Sequence, residues 1–435
     1  MALGGGTFTV QNKELPGAYI NFVSAANAAS ALSDRGICTM PLELDWGPEG
    51  EVFEVSSSDF QKNCLEIFGY DYTDERMKGL RELFLNARTL YAYRLNGGSA
   101  KASNELAEAV YGGAKGNELK IAVAVNADDP GLFDVSTLLG NSEVDVQTVA
   151  GAEELVPNKY VKWKDGAVLS AMAAVPLTGG ENGSVSGDAH QKYLDKIEAY
   201  SFNVMGAAVI DDKVKALYAA FNKRMREEMG IKFQLVLYRH GADYLGAVNV
   251  KNMAVDDVLG EAGLVYWVTG ALAGCDVNRS LQNRIYDGEL EVEADYTQTE
   301  LKKSVKAGEF VLHKVGGDLR VLADINSMVT FSDGQGEVFG ENQTVRVIDQ
   351  IANDIAVLFN TKYLGAVPND KAGRVSLWSD IVKHHQQLSE IGAIEAFSDG
   401  DVIVEQGSSK KSVVVTDSVT VANAMSKVYM TVTVA

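Results

Sequence analysis

Residues Lys427-Val428-Tyr429-Met430-Thr431-Val432-Thr433-Val434 alternate polar and apolar with the two-residue period of a half-buried strand, and the sequence stops one residue later at Ala435. A terminal strand carries a row of unpaired N–H and C=O groups, and proteins that stay monomeric blunt such an edge with charge, proline or a covering element. No such device follows this run. The amino-terminal segment has the same character: Thr7-Phe8-Thr9-Val10 alternates, and a second extended run from Ala18 to Val23 follows the Pro16-Gly17 turn. Two partnerless strands at the ends of one subunit constrain the chain to fold a core between them and leave its arms to neighbours. The expected product is a polymer.

The length of 435 residues with 46% hydrophobic content exceeds what one core needs, so two to three domains are expected. The longest apolar stretch, Leu264 to Gly274, is broken by Thr269 and Gly270 and falls short of the roughly 20 residues a membrane span requires. No direct membrane partner is expected. Met1 to Glu14 has neither the basic start nor the apolar run of a secretory signal, which points to folding in the cytoplasm. Cys38, Cys64 and Cys275 are widely spaced in apolar surroundings and read as buried free thiols. The formal charge of −20 repels phosphates, which argues against direct nucleic-acid binding and keeps free subunits soluble.

The fold class read from periodicity is α/β and multidomain. It comprises an α/β core with a parallel βαβ unit, an inserted all-β domain, and an α+β carboxy-terminal domain with extended terminal arms. Strands are expected at Ile37 to Leu44, Glu51 to Ser56 and Thr89 to Leu95, with a helix capped by Ser58 and Gln61 and ended by Gly69, and another behind Thr73. From Lys101 to Thr178 short strands follow one another, among them Leu119 to Val125, Glu143 to Val149 and Lys159 to Trp163. Helical signals resume behind Asp188, with Gln191 as its capping partner. Asn203 to Ile210, the helix Asp212 to Met229 closed by Gly230, and Ile231 to Tyr238 make the βαβ unit. A helix at Leu264 to Ala273 precedes a β-rich stretch from Glu289 to Phe331. Thr344 and Ser376 are read as the caps of two late helices, and Asp401 to Gln406 with Lys411 to Thr416 as a hairpin. The expected divisions are an arm 1–22, core 23–96, insertion 97–180, core 181–312, carboxy-terminal domain 313–426 and arm 427–435.

Candidate chemistry is sparse. The turn after the first strand of the βαβ unit carries Asp211-Asp212, two carboxylates where a dinucleotide fold needs glycines and an open helix N-terminus. Asn96-Gly97-Gly98-Ser99-Ala100-Lys101 follows a strand but lacks phosphate-loop spacing, and Tyr111 to Asn117 precedes a strand instead of a helix. Both read as turns. His384 and His385 are adjacent on a helix, so their side chains diverge by about 100° and do not chelate as a pair, one expected against solvent and one against a neighbour. His190, His240 and His313 lie in separate elements, and Ser332 to Glu337 resembles a calcium loop in composition alone. No catalytic residue, cofactor or metal is expected.

With these parts in place the chain resembles the tail sheath proteins of contractile phages, in the branch found in phages and phage-like particles of Gram-positive bacteria. The resemblance runs nearly end to end. It is carried by Pro16-Gly17-Ala18-Tyr19, Gly113-Ala114-Lys115-Gly116-Asn117, Leu177-Thr178-Gly179-Gly180, Val277-Asn278-Arg279-Ser280-Leu281 and Val321-Leu322-Ala323-Asp324-Ile325-Asn326-Ser327. Further on come Tyr363-Leu364-Gly365-Ala366-Val367-Pro368-Asn369, Gly373-Arg374 and the ending Ala424 to Val432.

The resemblance implies stacked six-membered rings around a tail tube, a homo-oligomer that also meets baseplate and tail terminator proteins. It implies assembly in the host cytoplasm into a virion or phage-like tail, and contraction that drives the tube through a target cell envelope. Ala18, Tyr19, Ile20 and Phe22, with Val428, Tyr429, Met430, Val432 and Val434, would lie on exchanged strands. Val402, Val404, Val413 and Val415 would belong to the receiving hairpin, although Lys427 to Val434 could instead close a sheet within its own subunit. The helix from Ser376 to Ile391, through Lys383, His384 and His385, is the candidate for touching the tube. Two other readings stand beside it: a cytoplasmic α/β enzyme with an unrecognised nucleotide or substrate site, and a different self-assembling shell or tube protein.

Overall fold

The computed structural model describes residues 32–434. The runs at 7–10 and 18–23, with Ala18, Tyr19, Ile20 and Phe22, lie outside the described residues. The architecture is mixed α/β in two compact units, one made of Thr39–Arg81 with Arg88–Glu198, the other of Glu82–Ala87 with the described residues before Thr39 and after Glu198.

In the first unit, strands β1 (Ile37–Leu42) and β2 (Val52–Ser56) precede helix α1 (Ser57–Phe68). Strand β3 (Thr89–Arg94) pairs antiparallel with β2, Val52 opposite Tyr93, and lies between β1 and β2. Ser56, not Ser58, caps α1: its hydroxyl accepts the Asp59 N–H at 3.0 Å, and Ser58 already sits in the first turn. Phe60, Cys64 and Phe68, four apart, turn one face inward, and Gly69 ends the helix at φ 76°, where a side chain would be strained.

The insertion is built from β4 (Leu119–Val125), β5 (Phe133–Leu139), β6 (Ser142–Val149) and β7 (Met172–Pro176) as an antiparallel sheet ordered β6-β5-β4-β7. Leu119, Ile121 and Val123 alternate into a core shared with Val135, Leu139, Val161 and Leu177. The helix Ala189–Ile197 starts where expected but without the expected cap. The Asp188 carboxylate instead takes the Ser186 hydroxyl at 2.6 Å and pairs with Lys192, and Gln191 donates to Asp195.

The second unit holds the parallel sheet. Strand β8 (Val204–Ala207) leads through helix α2 (Asp212–Arg224) and a π-turn, Met225–Met229, to β9 (Gln234–Tyr238), paired parallel with β8. Strands β10 (Ala247–Val250) and β11 (Glu309–Phe310) extend it in the same sense. Every residue of β8, β9 and β10 is buried, as a parallel sheet covered on both faces demands.

Helix α3 (Leu264–Gly274) is apolar all round because it too is enclosed. A Cβ at Gly270 would collide with the Leu83 carbonyl oxygen, and one at Gly274 with that of Asn86, so these glycines let helix and segment touch. Gly270→Ala is expected to lower stability by about 1–3 kcal/mol through overpacking, read as a lower urea midpoint at unchanged slope. An unshifted midpoint would refute the close approach.

The stretch Glu289 to Phe331 is not β throughout. It contains the helix Gln298–Lys306, started by a capping box in which Thr297 accepts from the Glu300 N–H and Glu300 from the Thr297 N–H. Two buried ion pairs tie the later helix α4 (Asn342–Leu358) to the rest of this unit. Arg226 grips Asp349 with two bonds of 2.6 Å, and Arg346 lies 3.4 Å from Asp324, whose carboxylate also accepts from Leu281 N–H and the Asn342 amide.

Candidate assembly site

Helix α4 opens without a side-chain cap. Thr344, the expected cap, is buried in its first turn, and its hydroxyl meets Asn423 at 3.2 Å. After a π-turn at Phe359–Tyr363 the chain enters helix α5 (Lys371–Glu390), capped by Asp370 accepting from the Gly373 N–H at 2.8 Å. Ser376, the expected start, lies inside this helix, 3.0 Å from the Tyr363 hydroxyl.

Strands β12 (Val402–Gln406) and β13 (Val413–Asp417) form the expected hairpin, antiparallel with Val404 opposite Val415. Its turn is longer than read, six residues from Gly407 to Ser412, because Ser409 and Ser412 hydrogen-bond inside it. Val402 is buried, and Val404 and Val413 pack half-buried on Leu358, Tyr363, Leu377 and Ile381. Trp378 pins the hairpin to α5, its indole N–H donating to the Val402 carbonyl at 3.0 Å. Of the four valines expected here, only Val415 is exposed; Ile403 and Val414 are exposed on the opposite face of the hairpin. The sheet has two strands among the described residues, so each strand keeps one edge without a strand partner.

Beyond β13 the chain doubles back. Val421 bridges Ile394, Ala422 N–H donates to the Ala393 carbonyl, and Gln343 brackets the segment by donating to the Ala422 carbonyl and accepting from the Ala424 N–H, both at 3.0 Å. Anchoring stops at Ala424. From Met425 to Val434 no strand pairing forms among the described residues, and Val428, Tyr429, Met430, Val432 and Val434 are each at least 68% exposed. Among the described residues no sheet closes over this segment within the same subunit. An apolar alternating run held in water is a strand whose hydrogen-bond and burial energy has not been collected.

Lys383 is exposed on α5, but His384 and His385 are buried, and the expectation that one faces solvent is wrong. Helix α5 lies between α4 and the hairpin, so side chains diverging by about 100° both reach protein. His384 Nε2 meets Asp354 of α4 at 2.9 Å, and His385 Nε2 meets Asp417 at the end of β13 at 2.7 Å. Neither histidine lies on a surface that could touch a tube.

The anion-site candidates are filled from within the chain. The Gly98 and Ser99 N–H groups point at the Glu49 carboxylate, 3.0 and 3.3 Å away, with Arg94 at 3.5 Å. At the start of α2, Asp211 accepts from the Lys213 and Val214 N–H groups. Gly113, at φ 131°, lies so close to the Asp45 carbonyl that a Cβ would clash, which explains a glycine there without any ligand.

Four family models match the chain in succession: the tail sheath protein Gp18 domain III N-terminal region over residues 35–95, the phage tail sheath protein beta-sandwich domain over 96–182, the phage tail sheath protein central domain over 183–327, and the phage tail sheath C-terminal domain over 334–435. The phage-like element PBSX protein XkdK of Bacillus subtilis is 32% identical over 99% of this chain and 100% of its own length. Among solved structures, the sheath tail protein of Desulfitobacterium hafniense superposes with a TM-score of 0.81 at 33% identity, covering 95% of this chain and 99% of that one. The contracted helical sheath of the anti-feeding prophage shares the fold at a TM-score of 0.56 and 13% identity, covering 97% and 99%.

Proposed function

The chain belongs to the phage tail sheath family, and from that premise we propose that it polymerises as stacked six-membered rings around a tail tube and contracts to drive that tube through a cell envelope. The family is structural and not enzymatic, and its members are components of a particle tail. The observation that carries the finer reading is the exit at Ala424: a well-anchored subunit releases an unpaired apolar strand beside a hairpin with open edges.

In this reading Val428 to Val434 add to a hairpin of another subunit, and the amino-terminal run with Ala18, Tyr19, Ile20 and Phe22 does the same. Donor and acceptor surfaces differ, so the contact is heterologous and propagates instead of closing into a dimer. Residues 97–180 would project outward from the assembly, Lys383 would face the tube, and baseplate and terminator proteins would meet the two ends. Assembly would proceed in the host cytoplasm. Contraction needs no nucleotide if the two lattices differ in buried surface, a bistable packing.

Electron microscopy of the purified protein tests this. Hollow cylinders with six-fold end views are expected; flat arrays, or particles that stay monomeric at high concentration, would overturn it.

A further inference from the structure

The two buried histidines have a proton inventory that can be counted. Three contacts run in series: Asp354 Oδ2 to His384 Nε2 at 2.9 Å, His384 Nδ1 to His385 Nδ1 at 3.3 Å, and His385 Nε2 to Asp417 Oδ2 at 2.7 Å. Each needs one hydrogen between its heavy atoms. Ionised carboxylates only accept, and a neutral imidazole brings one N–H, so two neutral imidazoles supply two hydrogens for three bonds. With only two, one contact sets lone pair against lone pair inside a buried site.

Asp354 Oδ2 is an acceptor for three groups, since the Gln350 amide and the Ser33 N–H also point at it, at 2.8 and 3.4 Å. Burial pushes its carboxyl upward, yet the bonds from His384, Ser33 and Gln350 outweigh that and hold it below the usual carboxylate range. The third hydrogen is therefore assigned to the imidazole pair, whose ring nitrogens take part in all three contacts.

We infer that the chain Asp354-His384-His385-Asp417 stores one proton more than two neutral imidazoles carry, and that this proton latches the end of β13 to α4 and α5. The latch joins three elements distant in sequence: α4 through Asp354, α5 through both histidines, β13 through Asp417. The ionisable groups that face the pair are Asp354 from α4 and Asp417 from β13. The segment after α5 contributes the Phe397 ring, 5.1 Å from that of His385. An imidazolium between two carboxylates offsets one of their two negative charges, and withdrawing its proton leaves two anions and a broken link.

The sign follows from proton linkage. Unfolded histidines are mostly neutral above pH about 6.5, so the folded latch binds the extra proton and its stability falls as pH rises. The hairpin loosens on the alkaline side, and with it the edges offered to other subunits.

The test uses the full-length isolated subunit and does not depend on its polymerising. With only five histidines in the chain, ¹⁵N-histidine labelling resolves protonation nitrogen by nitrogen. At neutral pH three of the four ring nitrogens of His384 and His385 are expected to carry hydrogen; two would overturn the inference. Hydrogen exchange gives a second reading. Raising pH from about 6.5 to about 9 should cost the 413–417 amides roughly tenfold more protection than the β4 amides, after correction for intrinsic rates. Parallel losses would overturn it. In His385→Asn the excess pH dependence should vanish, and its persistence would place the titrating group elsewhere; if that variant fails to fold, the nitrogen count on the native chain decides.

Discussion

Cutting the chain after Ala424 is expected to abolish polymers and to leave a folded, soluble subunit. Among the described residues the hydrogen bonds that hold the carboxy-terminal segment are made by Ala424 or earlier, so the cut leaves that anchoring in place and removes from the core the electrostatic contact of Lys427 with Glu341. What it removes is an arm able to form about six ladder bonds worth roughly 0.5–1.5 kcal/mol each, a total of about 3–9 kcal/mol per contact before apolar burial is added. At about 1.4 kcal/mol per decade this is two to six orders of magnitude in the association constant. Sedimentation velocity and electron microscopy should show monomers at concentrations where the full chain forms cylinders, with the far-ultraviolet spectrum and melting temperature unchanged. Cylinders persisting in the truncated protein would remove the arm from the mechanism.

Asp349→Ala is expected to cost about 3–5 kcal/mol of folding stability at neutral pH, the largest loss foreseen for a single substitution here. The change leaves the Arg226 guanidinium, 3% exposed, without its counter-charge and opens a gap at the base of α4. Arg226 keeps its bond to the Phe233 carbonyl and its contact with the Tyr244 hydroxyl, neither of which carries a compensating charge. Since α4 carries Gln343, Thr344 and Asp354, all of which hold later parts of the chain, its loosening should release those parts together. Replacing both partners by apolar residues, Arg226→Met with Asp349→Leu, should restore most of the loss because no buried charge is left alone. Urea unfolding of the three proteins measures this. A loss under about 1 kcal/mol in the single variant would mean that water reaches the guanidinium.

The βαβ unit and the hairpin could be read directly from periodicity, because each buries a regular face. Helix starts were harder. Ser58, Thr344 and Ser376 all have the chemistry of caps yet lie inside their helices, since a hydroxyl near a helix start can also serve a packing partner, as Thr344 does with Asn423. The helix Gln298–Lys306 did announce itself through Thr297 and Glu300, but the surrounding β pattern obscured it. Strands β5 and β7 were illegible because Asp134 and Ser136 interrupt one and alanines fill the other. The histidine pair could not be found from sequence at all, as its partners Asp354 and Asp417 stand 30 and 32 residues away and only packing brings them together.

The exit at Ala424 also sets a leash. Only Met425, Ser426 and Lys427 separate the last anchored residue from Val428, so the first apolar residue of the arm can lie no farther than about 14 Å from its own subunit. A join that short is a pivot pin and not a rope. In the proposed lattice, neighbours linked by it would be free to swing but not to drift apart, and any stroke would have to be assembled from rotations about these fixed points.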